Sequence, residues 1–339
     1  MKAPFPWPGG KSKAAHYIWA ALGDCPNYVE PFAGSLAVLL SRPHAPRIET
    51  VNDADCYLAN FWRALQADPE GLARVVDWPV NEADLHARHL WLIKQAEFRE
   101  RMRTDPDFYD VKVAGWWVWG LCSWIGTGWC DVSREAAPSE QLPHLGNAGM
   151  GVHRKLPHLG SAGMGVHRKL PHLGDAGRGV PSQQLPHLGG SGMDSGKGVH
   201  GATLSATLSA LANRLRRVRV ACGDWTRVMG DSVTWRHGLT GVLLDPPYDD
   251  GCAMYASGGQ GVAADVRAWC AENGNNPLLR IALCGYEGDP EPEGWSKVEW
   301  KAHGGYGNQN KAGNANARRE RIWFSPACLG AGNQLGLGL

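Results

Sequence analysis

The first 66 residues alternate between short apolar runs and segments whose apolar residues recur at helical spacing. Helical spacing predicts three helices, over residues 12–22, 36–41 and 55–66. Short apolar runs predict two buried strands between them, over residues 27–32 and 48–52. We expect Ser12 to open the first helix, a turn at 33–35 to follow the first strand, and Asp53 to end the second. This succession of elements is typical of the start of a parallel α/β sheet.

The same alternation returns near the end of the chain. Helices are predicted over residues 202–216 and 262–270, and strands over residues 217–222, 241–244, 278–284 and 321–324. The intervening segment has a mixed-charge helical pattern over 77–103 and a tryptophan-rich apolar helix over 113–130. We therefore predict an α/β fold with helices on both faces of one sheet. Its expected parts are two sheet-forming segments at 1–75 and 206–326, a mostly helical and loop-rich insert between them at 76–205, and a flexible tail at 327–339.

Composition narrows the class of protein only in part. The 339 residues carry a formal net charge of +1, which gives no overall electrostatic indication of a nucleic-acid partner. The arginines at 214–219 fit either a phosphate-contacting face or a solvated helix end. No run approaches the length of a membrane span, and the first residues contain no apolar signal core. The nine cysteines contain no CxxC pair, which predicts reduced thiols and a cytoplasmic protein.

The tetrapeptide DPPY, at Asp245, Pro246, Pro247 and Tyr248, directly follows an apolar strand. Such a strand delivers its next side chain to the carboxyl edge of a sheet, where α/β enzymes bind their ligands. The two prolines fix the main chain in one extended geometry. An acidic side chain, a main-chain carbonyl and an aromatic ring suit a planar substrate with an exocyclic amine. The alternative is an ordinary Pro-Pro turn.

A second motif, EPFAGSLAV at 30–38, combines a strand end with a glycine turn before a helix. Gly34 is expected where the main chain passes close to a ligand. Asp53 follows nineteen residues later, the spacing at which an acidic side chain reaches the ribose hydroxyls of a bound nucleoside. The absence of GxGxxG disfavours a dinucleotide. An ordinary tight turn is the alternative.

A third motif, WPGGK, comprises residues 7–11. Its two glycines offer free N–H groups before a helix, and Lys11 offers a point charge for a carboxylate. A flexible leader is the alternative to a binding role.

In their order along the chain, with WPGGK first, EPFAGSLAV second and DPPY last after an insert, the three motifs resemble those of the adenine-specific DNA methyltransferases of the DNA adenine methylase type. VNDAD at 51–55 and CGDW at 222–225 are similar to that family's ribose-binding and pre-catalytic motifs. The resemblance covers about residues 4–66 and 215–325. It implies a Rossmann-like methyltransferase sheet with a cofactor-binding part at 1–75, a target-recognition insert at 76–205 and a catalytic part at 206–326. A phage or prophage enzyme, with or without a companion restriction enzyme, is plausible by analogy.

The resemblance implies S-adenosylmethionine as cofactor and double-stranded DNA as partner, with no metal and, by default, a monomer. The residues it assigns to the cofactor are Trp7, Lys11, Glu30, Phe32, Gly34, Asp53, Asp224 and Asp245. The target adenine leaves the duplex, because its amine is unreachable inside the base stack. Asp245 and the Pro246 carbonyl then accept its N–H bonds while Tyr248 stacks on the base. Leu36 replaces the second glycine of the cofactor turn, which puts cofactor affinity in question.

Residues 142–200 contain four copies of a glycine-rich LPHLG segment, two of them nearly identical over fourteen residues. Seven of the thirteen histidines lie there, but the cysteine and carboxylate ligands of a typical metal site are missing. The family places its DNA-contacting loops in this part of the chain. The basic residues predicted to contact phosphate are Arg154, Lys155, Arg168 and Lys169. A solvated array of duplicated turns is the alternative.

Other functions remain open at this point. A cytosine N4 methyltransferase shares the logic of the tetrapeptide, as do enzymes that methylate RNA or a glutamine side chain. A DNA-binding protein without catalysis would use the same scaffold, with Leu36 as the lesion. Cofactor titration separates the enzymes from the last class.

Overall fold

The computed structural model describes residues 1–7, 9–124, 128–130, 201–247, 261–300 and 319–330, with the side chains of 201–203 excepted. The repeats, Tyr248 and most of the predicted tail lie outside these residues. The described residues form one sheet of seven strands in the order β3-β2-β1-β4-β5-β7-β6. The strands are β1 (Asn27–Glu30), β2 (Ile48–Asp53), β3 (Val218–Cys222), β4 (Thr240–Leu244), β5 (Leu279–Tyr286), β6 (Ser296–Glu299) and β7 (Glu320–Phe324).

The first five strands are parallel, whereas β7 runs antiparallel to both β5 and β6. The helices of the described residues are α1 (Ala15–Leu22), α2 (Ala37–Leu40), α3 (Cys56–Ala67), α4 (Pro69–Val76), α5 (Glu82–Ile93), α6 (Ala96–Thr104), α7 (Val111–Ser123), α8 (Gly201–Leu215) and α9 (Val262–Asn273). Two short 3₁₀ helices, Trp225–Val228 and Trp235–His237, lie between β3 and β4. The predicted fold class, a Rossmann-like α/β sheet flanked by helices, is confirmed.

Alternation along the strands shows that the sheet is covered on both faces. Tyr28 packs into one apolar cluster with α1, α3 and α8, and its neighbour Val29 packs into another with α9. Leu243 and Leu244 divide in the same way on β4. Successive strand residues point to opposite faces, so each face carries its own layer of helices.

Most predicted elements are present, and the differences have local causes. The first helix begins at Ala15 and its N-cap position is Ala14, so the prediction that Ser12 opens it is wrong. The sequence pattern missed α4, in which Asp68 caps the helix and Pro69 occupies its first turn. Proline is well tolerated there because the missing N–H has no helical partner. It also missed β6, a strand with alternating half-buried and exposed residues at the edge of the sheet.

The tryptophan-rich helix α7 is buried, as predicted, and it packs on the sheet domain. Trp117 lies with its ring centroid 5.7 Å from that of Phe5 and 6.2 Å from that of Phe61 on α3. A second link is Arg63 of α3, whose guanidinium donates to main-chain carbonyls of Val220 and of the segment that follows α6. The helices of the predicted insert thus share a core with α3, while the proposed domain boundaries stay predictions.

Arg214, one of the clustered arginines, is committed to the fold. Its two terminal nitrogens contact the two carboxylate oxygens of Glu49 at 2.7 and 2.9 Å, and Arg42 also pairs with that carboxylate. Glu49 is buried on β2, so this bidentate pair stabilises the packing of α8 on the sheet. Arg214 therefore has neither of the two roles predicted for the cluster, a phosphate contact or a solvated helix end, because its side chain is paired with Glu49. The neighbouring Arg216, Arg217 and Arg219 are exposed.

Candidate active site

The strand order reverses between β1 and β4, which are adjacent and parallel. In open α/β sheets this reversal leaves a crevice at the carboxyl ends of the strands, where ligands bind. Glu30 ends β1 and Asp245 directly follows β4, so the EPFAGSLAV and DPPY motifs meet at this crevice. The two residues are more than 200 positions apart in the sequence.

Lys11 connects the third motif to the same place. Its ammonium lies 2.9 Å from a carboxylate oxygen of Asp245 and 3.0 Å from the main-chain oxygen of Gly9. The lysine side chain is only 3% exposed, whereas that of Asp245 is 21% exposed. The buried Lys11 ammonium therefore pairs with a carboxylate that is itself partly exposed. The charge of Lys11 is thus paired with a carboxylate of the protein itself, and its contact with a cofactor stays a prediction.

Sequence reasoning missed a further member of this cluster, Glu320 at the start of β7. Its carboxylate lies 3.5 Å from the Lys11 ammonium, and its side chain is 8% exposed. Because β7 is antiparallel to β5, its first residue lies at the edge where the parallel strands end. The sequence pattern indicates site residues that follow strands, whereas Glu320 begins one, so the pattern does not indicate it.

Charge and burial shift the protonation of the cluster. Burial by itself lowers the pKa of Lys11, but the carboxylates of Asp245 and Glu320 outweigh it and raise the pKa above its ordinary value. Burial raises the pKa of Glu320, against the opposing effect of Lys11. Burial also raises the pKa of Glu30 to about 8, although the Tyr28 hydroxyl donates to that carboxyl at 3.0 Å. Lys11 is thus charged at neutral pH, and burial favours the protonated form of Glu30.

The predicted cofactor turn is held by the end of β2. The Gly34 N–H donates to one carboxylate oxygen of Asp53 at 3.0 Å, and the Asp55 N–H donates to the other at 2.9 Å. Burial and the nearby Asp55 raise the pKa of Asp53 to about 7. Asp53 is half-buried, and each carboxylate oxygen has a second lone pair. The carboxylate can therefore brace the turn and still accept from a ligand.

Gly34 has a φ of 47°, which favours glycine. A Cβ at this position would lie 2.8 Å from the indole nitrogen of Trp7, so the closest neighbour of the turn is that side chain. The Trp62 indole donates to the Gly34 oxygen at 3.1 Å. The structure thus brings Trp7, Gly34 and Asp53 together. Contacts within the protein, without any ligand, already require glycine at position 34.

Leu36, the departure from the family pattern, adopts φ 53° and ψ 28° at the start of α2. This is the left-handed region that a glycine would occupy without strain. The side chain is fully buried in the main apolar cluster. The turn therefore keeps the conformation that glycine favours, and burial of the leucine offsets a strain of about 1–2 kcal/mol.

The end of β3 completes this side of the crevice. Asn52 donates through its side-chain amide to the oxygens of Pro31 and Gly223, at 3.1 and 3.0 Å, and so ties the ends of β1 and β3 together. Asp224 follows as an exposed residue that caps the first 3₁₀ helix through the Thr226 N–H at 2.9 Å. Beside it, the rings of Phe32 and Trp225 are stacked, with centroids 6.1 Å apart. Sequence reasoning did not identify Asn52, although it lies next to Asp53.

A cavity of about 340 Å³ opens beside Pro246, at the carboxyl ends of β4 and β5. Its walls combine apolar, aromatic and charged side chains from α9, from β5 and the segment that follows it, and from β7 and the residue before it. The lining residues are Pro246, Ala263, Arg267, Leu283, Cys284, Tyr286, Asp289, Pro290, Arg319 and Trp323. The crevice therefore has space for a substrate group next to the Pro246 main chain.

Several predicted site residues lie outside the described part of the chain. These are Tyr248 of the tetrapeptide and the four basic residues of the repeats, Arg154, Lys155, Arg168 and Lys169. Among the described residues no cluster of three histidine, cysteine or acidic side chains suits a metal ion, and the repeat histidines were not among them. Nor does any helix of those residues have the length and apolarity needed to cross a membrane.

Residues 7–112 match the family model of the D12 class N6 adenine-specific DNA methyltransferases. The matched span is just under a third of the chain, and it contains the WPGGK motif, the glycine turn and Asp53. The match confirms the prediction of an enzyme class that methylates adenine in DNA. No curated protein matches the chain.

Proposed function

We propose, from the match of residues 7–112 to the D12 class of adenine-specific DNA methyltransferases, that this chain transfers a methyl group from S-adenosylmethionine to the N6 amine of a flipped adenine in double-stranded DNA. The observation that carries the proposal is the position of Asp245. Its partly exposed carboxylate is held by buried Lys11 at the crevice that the glycine turn also borders. The family match ends well before Asp245, so the geometry links the matched segment to the catalytic tetrapeptide.

The polar groups around the glycine turn fit the nucleoside part of that cofactor. Half-buried Asp53 offers acceptors suited to ribose hydroxyls, and exposed Asp224 offers one suited to an adenine amine. Phe32, stacked on Trp225, supplies an aromatic surface on this side of the crevice. Trp7 of the WPGGK motif and Glu30 at the end of β1 border the same crevice. When bound, S-adenosylmethionine supplies an electrophilic methyl group on a sulfonium.

The chain's own residues would orient the amine. The Asp245 carboxylate and the Pro246 main-chain oxygen accept the two N–H bonds, which directs the nitrogen lone pair out of the plane of the base. Pro247 restricts the main chain at Pro246, because the residue before a proline is confined to extended conformations. Catalysis on this proposal comes from positioning and preorganised charge. Stacking by Tyr248 stays a prediction.

The family match favours adenine over cytosine as the target base. The retained conformation at Leu36 also removes the main argument for a non-catalytic protein on the same scaffold. Phosphate contacts from Arg154, Lys155, Arg168 and Lys169 remain part of the proposal for DNA binding.

The test is methyl transfer by the full chain and by Asp245→Ala. We expect the variant to lose at least about 1,000-fold in methyl-transfer rate, because the amine loses its charged acceptor. Cofactor affinity, measured by calorimetry, should change little. The matched control is Asp231→Ala, an exposed aspartate that pairs with Arg236. Methylation-sensitive sequencing of DNA from cells that express the chain identifies the base and its sequence context; full activity of Asp245→Ala would refute the assignment.

A further inference from the structure

The cluster around Lys11 contains a second carboxylate besides that of Asp245. It belongs to Glu320 of β7, which is paired in register with Tyr286 of β5. The Glu320 carboxylate lies 3.5 Å from the lysine ammonium, which Asp245 contacts at 2.9 Å. Three segments of the chain thus meet at one buried nitrogen, and only one of their carboxylates faces the crevice.

A second buried carboxylate beside a catalytic one is costly for the fold unless it is compensated. Lys11 compensates one negative charge of the two. Burial raises the pKa of Cys284 and of Glu30, which also face the cluster, and so favours their neutral forms. Lys11 is therefore shared between one carboxylate that is partly exposed at the crevice and one that is buried.

We propose that Glu320 is a positioning residue for the methyl transfer: its carboxylate holds the Lys11 ammonium in the place from which that ammonium contacts Asp245. This inference rests on the proposed function. As the amine nitrogen forms a bond to the methyl carbon, the bond between that carbon and the sulfonium sulfur breaks, and S-adenosylhomocysteine leaves as a neutral thioether. The nitrogen carries positive charge until it releases a proton to solvent, and the Asp245 carboxylate, held by Lys11, stabilises that charge. Glu320 itself need not touch the substrate.

The test compares single-turnover methyl transfer by the full chain, Glu320→Gln and Glu320→Asp, with S-adenosylmethionine and the DNA sequence that sequencing identifies. Glutamine keeps the shape and removes the charge, and we expect a rate about 10-fold or more below that of the unchanged protein. The dissociation constant of S-adenosylmethionine should stay within about 3-fold, because Glu320 is not among the residues assigned to the cofactor and the variant keeps both Lys11 and Asp245. Aspartate keeps the charge but withdraws it from Lys11, so its rate should fall between the two.

The matched control is Glu299→Gln on the neighbouring strand β6, where the glutamate is exposed and pairs with Arg321. Its rate should equal that of the unchanged protein. A wild-type rate in Glu320→Gln would overturn the inference, as would a loss of rate that is matched by an equal loss of cofactor affinity and thermal stability. If Glu320→Gln does not fold, a wild-type rate in Glu320→Asp overturns it.

The two proposals fail separately. If the unchanged protein methylates no adenine, the proposed function fails. If it methylates adenine and the Glu320 variants do so equally fast, only the role of Glu320 fails.

Discussion

The two sides of the candidate site are held together by different kinds of contact. On the β1–β2 side, main-chain N–H groups of Gly34 and Asp55 donate to Asp53, and the partners lie within nineteen residues of one another. On the β4 side, Lys11, Asp245 and Glu320 come from the first, the middle and the last parts of the chain and meet through charge.

This difference separates two ways of building a site. Hydrogen bonds between neighbouring segments set the shape of the glycine turn, and each is worth about 1 kcal/mol net. Buried charges at the β4 side depend on one another, since removal of one leaves the others uncompensated. We therefore expect substitutions at the charge cluster to affect both stability and rate strongly, and substitutions at the turn to act mainly through stability and cofactor binding.

The largest effect is expected from Lys11→Met. Loss of the ammonium leaves Asp245 and Glu320 as like charges in a buried site, which should cost about 3–5 kcal/mol of unfolding free energy. The methyl-transfer rate should fall by about 100-fold or more, because Asp245 loses the group that holds it. Chemical denaturation and single-turnover kinetics measure the two quantities. Lys13→Met, an exposed neighbour, is the control, and equal behaviour of the two variants would contradict the comparison.

An intermediate effect is expected at Leu36, and its sign is diagnostic. Leu36→Ala removes buried apolar atoms but keeps the left-handed strain, so unfolding free energy should fall by about 2–4 kcal/mol. Leu36→Gly also removes the strain and should be less destabilised than the alanine variant, by about 1 kcal/mol. This reverses the usual order of alanine and glycine. A glycine variant less stable than the alanine variant would show that the residue is unstrained in solution.

The smallest effect concerns the dependence of stability on pH. The folded protein keeps the Glu30 proton up to a pKa of about 8, whereas the unfolded chain releases it near 4.5. Between these values the folded state binds more protons, so stability falls as the pH rises. Glu30→Gln should weaken this fall by roughly 1–3 kcal/mol between pH 5 and 8.

Thermal melting over that range measures the slope, and Glu70→Gln, an exposed glutamate, should leave it unchanged. Asp53, whose pKa burial raises to about 7, contributes a fall of the same sign. The slope should therefore be weaker in Glu30→Gln but not absent, and an unchanged slope would mean that Glu30 is ionised in the folded state.

Much of the site was predictable because its motifs are continuous in sequence. An apolar strand followed by DPPY, and a glycine turn nineteen residues before an aspartate, carry their geometry in their spacing. Side chains at the ends of parallel strands share one edge wherever the strands lie in the sheet. The sequence pattern places the start of α1 wrongly at Ser12 and does not predict α4. Each depends on which of several plausible N-cap residues the packing selects.

The sequence by itself determined the α/β class, the strand-end positions of Asp53 and Asp245, and the kind of chemistry that their neighbours suit. Only the tertiary structure decided what holds those residues. Reversal of β7 brings a strand-opening glutamate to the carboxyl edge, and the packing of α8 turns Arg214 from a surface charge into a partner of Glu49. Local propensity acts over a few residues, whereas strand order and the pairing of buried charges depend on segments far apart in the chain. For that reason the sequence pattern indicates Asp245, whereas only the fold shows that Lys11 pairs with both Asp245 and Glu320.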